Sequence, residues 1–319
     1  MKILVTGGSG FLGSSIIKDI LKTYPTYEVI NFDFRHRKGE LSRMEGVVND
    51  HRYKEVEGDI LDRELVENLI KEDLVEVIIN CATYTHETMR GGEVRKALDC
   101  HVDGTHILLE LVKKYDISML QVSSVEVYGS KDEGLIEPHS SVIPSSVYAA
   151  SKVGGDLLCE AYHKSFGTKV KIVRTANVFG PYQHPREFIP HPILAIGQEK
   201  YVELEGDGLQ IRDWVYVDDF TRAVDTVLHK GAPGGVYLVG SGQTKTNLEV
   251  VDILLKQLGK ERNLIQFVNS SPSTDRRYAV DISATKALGW DPVYEFDMSL
   301  GHLMRWYQAH ESWTMAIQE

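Results

Sequence analysis

The chain has no apolar run near the roughly 20 residues that a membrane-spanning helix requires, which argues against an integral membrane protein. It also lacks a positive balance: 35 Lys and Arg against 46 Asp and Glu leave a formal charge of −11. Neither a nucleic acid backbone nor an anionic membrane surface would attract such a chain, so any anionic ligand must be held locally, by arginines or helix N-termini. Cysteine is scarce, and Cys81, Cys100 and Cys159 lie far apart without metal-ligand spacing. They read as free core thiols in a reducing cytoplasm. No charged leader precedes the strand-like opening MKILVTGG, so no signal peptide is expected. Repeats and low-complexity tracts are missing as well.

What remains is an ordinary globular composition, 42% apolar and 25% charged over 319 residues, enough for one large α/β domain with a smaller companion. Short apolar runs alternate with helical patterns: KILVTG, SSIIKDILKTY, YEVINFD, RYKEVEGDI, LVENLIKE, VEVIINCAT, ALDCHVDGTHILLELVKKY, SMLQVSS. That alternation predicts right-handed βαβ units and a doubly wound parallel (Rossmann) sheet covered on both faces. A helix over 146–166 and the run KVKIVRT add a further unit. Pro181, Pro185, Pro190 and Pro192 then break the pattern. The expected division is a dinucleotide-binding domain over 1–180 and a smaller α/β substrate-binding portion over 181–319, with a soft boundary and segments able to cross back.

Two constellations carry chemistry. In TGGSGFLGSS, Gly7, Gly10 and Gly13 bracket Phe11 and Leu12 at a strand-to-helix turn. Glycines there allow the tight turn, the approach of backbone to a pyrophosphate and close helix packing. Asp33 ends the next strand 20 residues past Gly13, where a carboxylate accepts both ribose hydroxyls and so favours NAD. Arg35 and Arg37 stand close enough in sequence to accommodate a 2′-phosphate instead. Asp59, with Ile60 beside it, is placed to reach the adenine edge or to serve as an ordinary turn residue.

The second constellation is Tyr148 and Lys152 in SSVYAASKVGGD. At i and i+4 on a helix the ammonium sits beside the phenol and favours the phenolate, which can take a proton from a substrate hydroxyl while a hydride leaves the same carbon.

With these motifs in place, the chain resembles the extended short-chain dehydrogenase/reductases acting on nucleotide sugars, most nearly the dTDP-glucose 4,6-dehydratases. The likeness spans nearly the whole chain and rests on TGGSGFLGS, YAASKVGGDLL, NVFGPYQHP, GDGLQIRDWVYVDD, NLEVV and DRRYAVD in order. It implies a bound NAD that oxidises C4 of a nucleoside diphosphate hexose, chemistry at C5 and C6 of the 4-keto sugar, return of the hydride, and a homodimer paired through helices near 95–115 and 146–166. By position it implies that Ser124 hydrogen-bonds the C4 oxygen beside Tyr148 and that Glu126 takes the C5 proton. It further implies that Thr85 and His86 line the sugar pocket, and that Asn177, Arg212, Asn247 and Arg276 hold the pyrophosphate and nucleotide.

Three positions depart from that pattern. Val125 stands where such dehydratases carry an Asp general acid. C4 or C5 epimerisation, decarboxylation and formation of a 5,6-alkene therefore stay open beside dehydration. Glu205 replaces an aromatic that stacks on the base, and a carboxylate there can accept from an exocyclic amine, which admits CDP or GDP sugars beside dTDP and UDP. His101 takes the place of an asparagine near the cofactor and reads as a satisfied helix histidine. Retention of Tyr148 and Lys152 argues against a non-catalytic dinucleotide sensor.

Overall fold

The computed structural model describes residues 1–34, 41–84, 94–271 and 274–318. Its largest feature is a seven-stranded parallel sheet of order β10-β6-β5-β4-β1-β2-β3. The strands are β1 (Lys2–Thr6), β2 (Glu28–Asp33), β3 (Tyr53–Glu57), β4 (Val77–Asn80), β5 (Ser118–Ser124), β6 (Lys169–Thr175) and β10 (Val236–Val239). The central strands are buried on both faces, which explains their continuous rather than alternating apolar runs. The few polar residues among them pair across the sheet. Thr6 Oγ1 donates to Asn80 Oδ1 at 2.6 Å and Asn80 Nδ2 to Gln121 Oε1 at 2.8 Å, joining β1, β4 and β5.

The sheet is doubly wound, and its strand order reverses between β1 and β4, so a crevice opens beyond their carboxyl ends. Strand β10 comes from well past residue 180 yet pairs in parallel with β6. The rest of the C-terminal region forms two small sheets, β11-β9-β7 (Thr244–Thr246, Ile211–Tyr216, Asn177–Phe179) and β12-β8 (Ile265–Val268, Val202–Glu205). These pack on an aromatic-rich cluster containing Phe179, Trp214, Phe296 and Tyr307. Helix Asn247–Leu258 begins with a reciprocal capping box, Thr246 with Glu249, and ends at Gly259 in the left-handed region, as NLEVVDILLKQLG predicts.

Helix Val147–Phe166 matters most for the site. Ser146 caps it, its Oγ accepting from Ala149 N at 3.1 Å. Gly154 and Gly155 let it approach the preceding helical segment: a Cβ on Gly155 would sit 2.5 Å from the carbonyl oxygen of His101. On its inner face Asp156 Oδ2 meets Arg174 Nε at 2.8 Å and Ser123 Oγ at 2.9 Å, with both charged side chains buried. Arg174 Nη1 also donates to Tyr128 Oη at 2.8 Å. Removing one partner strands the other charge in the core. Asp156→Asn is expected to cost about 3–5 kcal/mol, read as a lowered midpoint in denaturant unfolding; a midpoint within error of wild type would mean that this pair does not secure the helix.

Candidate active site

Beyond the crevice lies a cavity of about 490 Å³ whose wall collects both sequence constellations. Gly7, Gly10, Phe11, Leu12, Gly13, Asp33, Asp59 and Ile60 line one end, and Ser124, Val125, Glu126, Tyr148, Lys152 and Asn177 the other.

The glycine end is shaped for a dinucleotide. Gly7 has φ +64, and a Cβ there would lie 2.7 Å from the backbone of Ala82; one on Gly13 would lie 2.3 Å from Gly7 O. Helix Phe11–Thr23 starts at Gly10 with no side-chain cap and no acid in its first turn, so its N-terminal N–H groups remain for an anion. Asp33 Oδ2 accepts from Ser9 N at 2.9 Å, which fixes the carboxylate beside the glycine turn. Asp59 accepts from Leu61 N at 3.0 Å, so it holds its turn while also facing the cavity. Arg43 is buried behind this end, donating to Ser9 O and Tyr182 O. Arg35 and Arg37 lie outside the described residues.

At the other end, β5 finishes at Ser124 and the chain turns through the short helix Val125–Tyr128. Ser124 Oγ accepts from Glu126 N at 3.2 Å, so its own proton can be donated into the cavity. Val125 is buried and brings no proton donor to the wall. Lys152 Nζ donates to Val122 O at 3.3 Å. Burial pushes the Tyr148 phenol up and the Lys152 ammonium down, each toward its neutral form. Glu126 and then Glu187 add to the rise of the phenol, and the Thr83 hydroxyl opposes it as a hydrogen-bond partner.

Some expected residues are not brought to the cavity. Arg212 donates to Ile211 O and Asp275 O and lies 4.8 Å over the Tyr278 ring. Arg276 makes a two-pronged pair with Asp207 at 2.6 and 3.0 Å. Glu205 Oε2 accepts from Thr274 Oγ1 at 2.6 Å, and Asn247 opens its helix. None of the four is among the lining residues. Thr85 and His86 lie outside the described residues. Sequence reasoning missed Thr83, Gln183, His184, Glu187 and Phe188, which do line the wall. The motif NVFGPYQHP contains Gln183 and His184, but Asn177 alone was expected there to face the ligand. Among the described residues no cluster of His, Cys, Asp and Glu is arranged to hold a metal ion, and no helix is long and apolar enough to cross a membrane.

Known proteins match this arrangement over the whole chain. A low-salt glycan biosynthesis protein, Agl12, of Haloferax volcanii is 36% identical over 308 residues, covering 96% of this chain and 98% of the relative. A dTDP-glucose 4,6-dehydratase of Actinoplanes sp. is 36% identical over 320 residues, covering 98% and 99%. The crystal structure of a dTDP-glucose 4,6-dehydratase from Bacillus anthracis in complex with NAD superimposes with a TM-score of 0.93 at 39% identity, covering 99% of each chain. The family model described as the NAD dependent epimerase/dehydratase family matches residues 3–240. With fingerprint, Tyr/Lys pair and full-length likeness in agreement, the chain belongs to the NAD dependent epimerase/dehydratase family.

Proposed function

We propose that the protein is an NAD-dependent nucleotide-sugar 4,6-dehydratase acting on a nucleoside diphosphate hexose, the dTDP form being the one named for similar proteins. The observation that carries this reading is one cavity wall presenting Ser124, Glu126, Tyr148 and Lys152 together beside a dinucleotide-shaped glycine cradle. Gly7, Gly10, Gly13 and the helix start would hold the pyrophosphate of NAD, and Asp33 its ribose. When bound, NAD supplies the acceptor for the C4 hydride and its later return.

The chain's own groups account for the proton movements. Tyr148 takes the C4 hydroxyl proton, with Ser124 donating to the same oxygen and Lys152 favouring the phenolate. A ketone at C4 acidifies C5, whose proton Glu126 removes. That proton is the one the departing C6 oxygen needs, so a single carboxylate balances the loss of water without the Asp that Val125 replaces. With the hydride returned at C6, C5 takes its proton from solvent, the C4 oxygen stays a ketone, and the proton held by Tyr148 passes to solvent. Asn177 on this wall, and off it Arg212, Asn247 and Arg276, with Thr85 and His86, are the groups that the resemblance assigns to the nucleotide and sugar. Glu205, off this wall and accepting from Thr274, stands where the resemblance puts a residue that meets the base.

The enzyme works in the cytoplasm, in keeping with three buried free cysteines. It pairs as a homodimer through the helical stretches 95–115 and 146–166 that the resemblance names, on which Leu98, Leu157 and Phe166 are exposed. Two substitutions test the chemistry. Tyr148→Phe is expected to slow C4 oxidation by about 10²–10⁴-fold, measured as dinucleotide reduction on mixing with substrate; an unaltered rate would remove the phenol from that step. Glu126→Gln is expected to leave C4 oxidation intact while C5 stops exchanging with deuterated solvent. Exchange at the wild-type rate would assign the base to another group.

A further inference from the structure

The Tyr148 phenol does not stand alone. From the end of β4, Thr83 reaches it with a hydroxyl that also meets His101 Nε2 at 2.8 Å. The His101 ring lies edge-on to the Tyr148 ring, centroids 5.7 Å apart at 81°. On its other side His101 Nδ1 meets Ser151 Oγ at 2.7 Å, and Ser151 Oγ donates to Tyr148 O at 2.7 Å. His101 is thus hydrogen-bonded at both nitrogens while almost fully buried.

Its tautomer follows from its neighbours. The backbone N–H of Tyr84 donates to Nε2 at 3.2 Å, so Nε2 is the acceptor and Nδ1 carries the proton toward Ser151. Burial, then the Lys152 charge, hold the ring far below its ordinary pKa, to about 2, so it stays neutral. The segment Asp99–Gly104 that carries it is a π-helical turn, which widens the helix at His101 and is a form concentrated at functional sites. The close approach at Gly155 locks that turn against the helix bearing Tyr148.

We propose that Thr83 and His101 are positioning residues for the Tyr148 proton, the Thr83 hydroxyl acting as a rotor that serves both protonation states of the phenol. With Tyr148 protonated, its hydroxyl donates to Thr83 Oγ1 and Thr83 donates to His101 Nε2. When Tyr148 is a phenolate, the Thr83 proton turns to it, and Nε2 keeps the Tyr84 N–H. No buried acceptor is stranded in either state, and no proton leaves the chain of groups. Without the rotor the phenolate loses one donor and forms at higher pH. The other groups bearing on the phenol are Glu126 from the turn after β5, Glu187 from the loop before helix Pro190–Gly197, and Asp156 from its own helix, while His184 and Lys152 line the same cavity. Thr83→Val leaves all of them in place.

The proposal rests on Tyr148 as the group that takes the C4 proton, but its test needs no turnover. Protein purified with its dinucleotide and labelled at tyrosine Cζ and histidine nitrogens would be followed by NMR against pH. The His101 signals are expected to show the Nδ1–H tautomer and no titration from about pH 5 to about 9. In Thr83→Val the Nε2 signal should move and the Tyr148 curve should shift to higher pH by about half to one unit, the worth of one net hydrogen bond. Thr83→Ser should restore both. A Tyr148 curve that superimposes on wild type in Thr83→Val, or an Nε2–H tautomer in wild type, overturns the proposal. Failure to oxidise any nucleoside diphosphate hexose at C4 would instead defeat the dehydratase reading and leave these signals as predicted.

Discussion

The buried pair between Asp156 and Arg174 is the constraint on which the site depends. Asp156 belongs to the helix that carries Tyr148 and Lys152, Arg174 to β6, and Ser123, bonded to the same carboxylate oxygen, to the end of β5. Three elements are therefore tied at one point, immediately below Ser124. Catalytic geometry tolerates little looseness, and groups carried on rigid elements with a supporting second layer of bonds hold it best. Two further constraints act with this one. The glycine pair at 154 and 155 seats the helix against the π turn, and the polar ladder Thr6, Asn80, Gln121 fixes the central strands whose ends form the crevice.

Much of this was legible in the residues because the signals are local. A glycine turn between a strand and a helix, an acid at the next strand end, and a Tyr/Lys pair one helical turn apart each carry their geometry with them, and the cavity unites them as expected. The parallel sheet was legible for the same reason, from apolar runs too continuous for one-sided burial. Groups supplied by contacts far apart in sequence were not legible. Glu187 follows a proline-broken loop with no periodicity to orient it. Thr83 and His101 are 18 residues apart, and they meet where the helix widens between Asp99 and Gly104. His101 read in isolation is a satisfied helix histidine; it is satisfied, and what satisfies it leads to the Tyr148 phenol.

Val125 gains a physical account. Where the resemblance implies an acid to protonate the leaving oxygen, the side chain here is buried among apolar neighbours. One carboxylate can still close the proton balance when the proton taken from C5 leaves with the C6 oxygen. On the proposed reading Tyr148 has a separate task at C4, and the proposed Thr83 rotor would let it change charge inside a buried wall.

The central claim is that this wall removes water from a nucleoside diphosphate hexose, and the mass of the product tests it most directly. Incubated with dTDP-, UDP-, CDP- and GDP-hexoses, the protein is predicted to convert one of them to a product lighter by one water, with a single deuterium at C5 when the reaction is run in deuterated solvent. A product of unchanged mass, an epimer, would contradict the account.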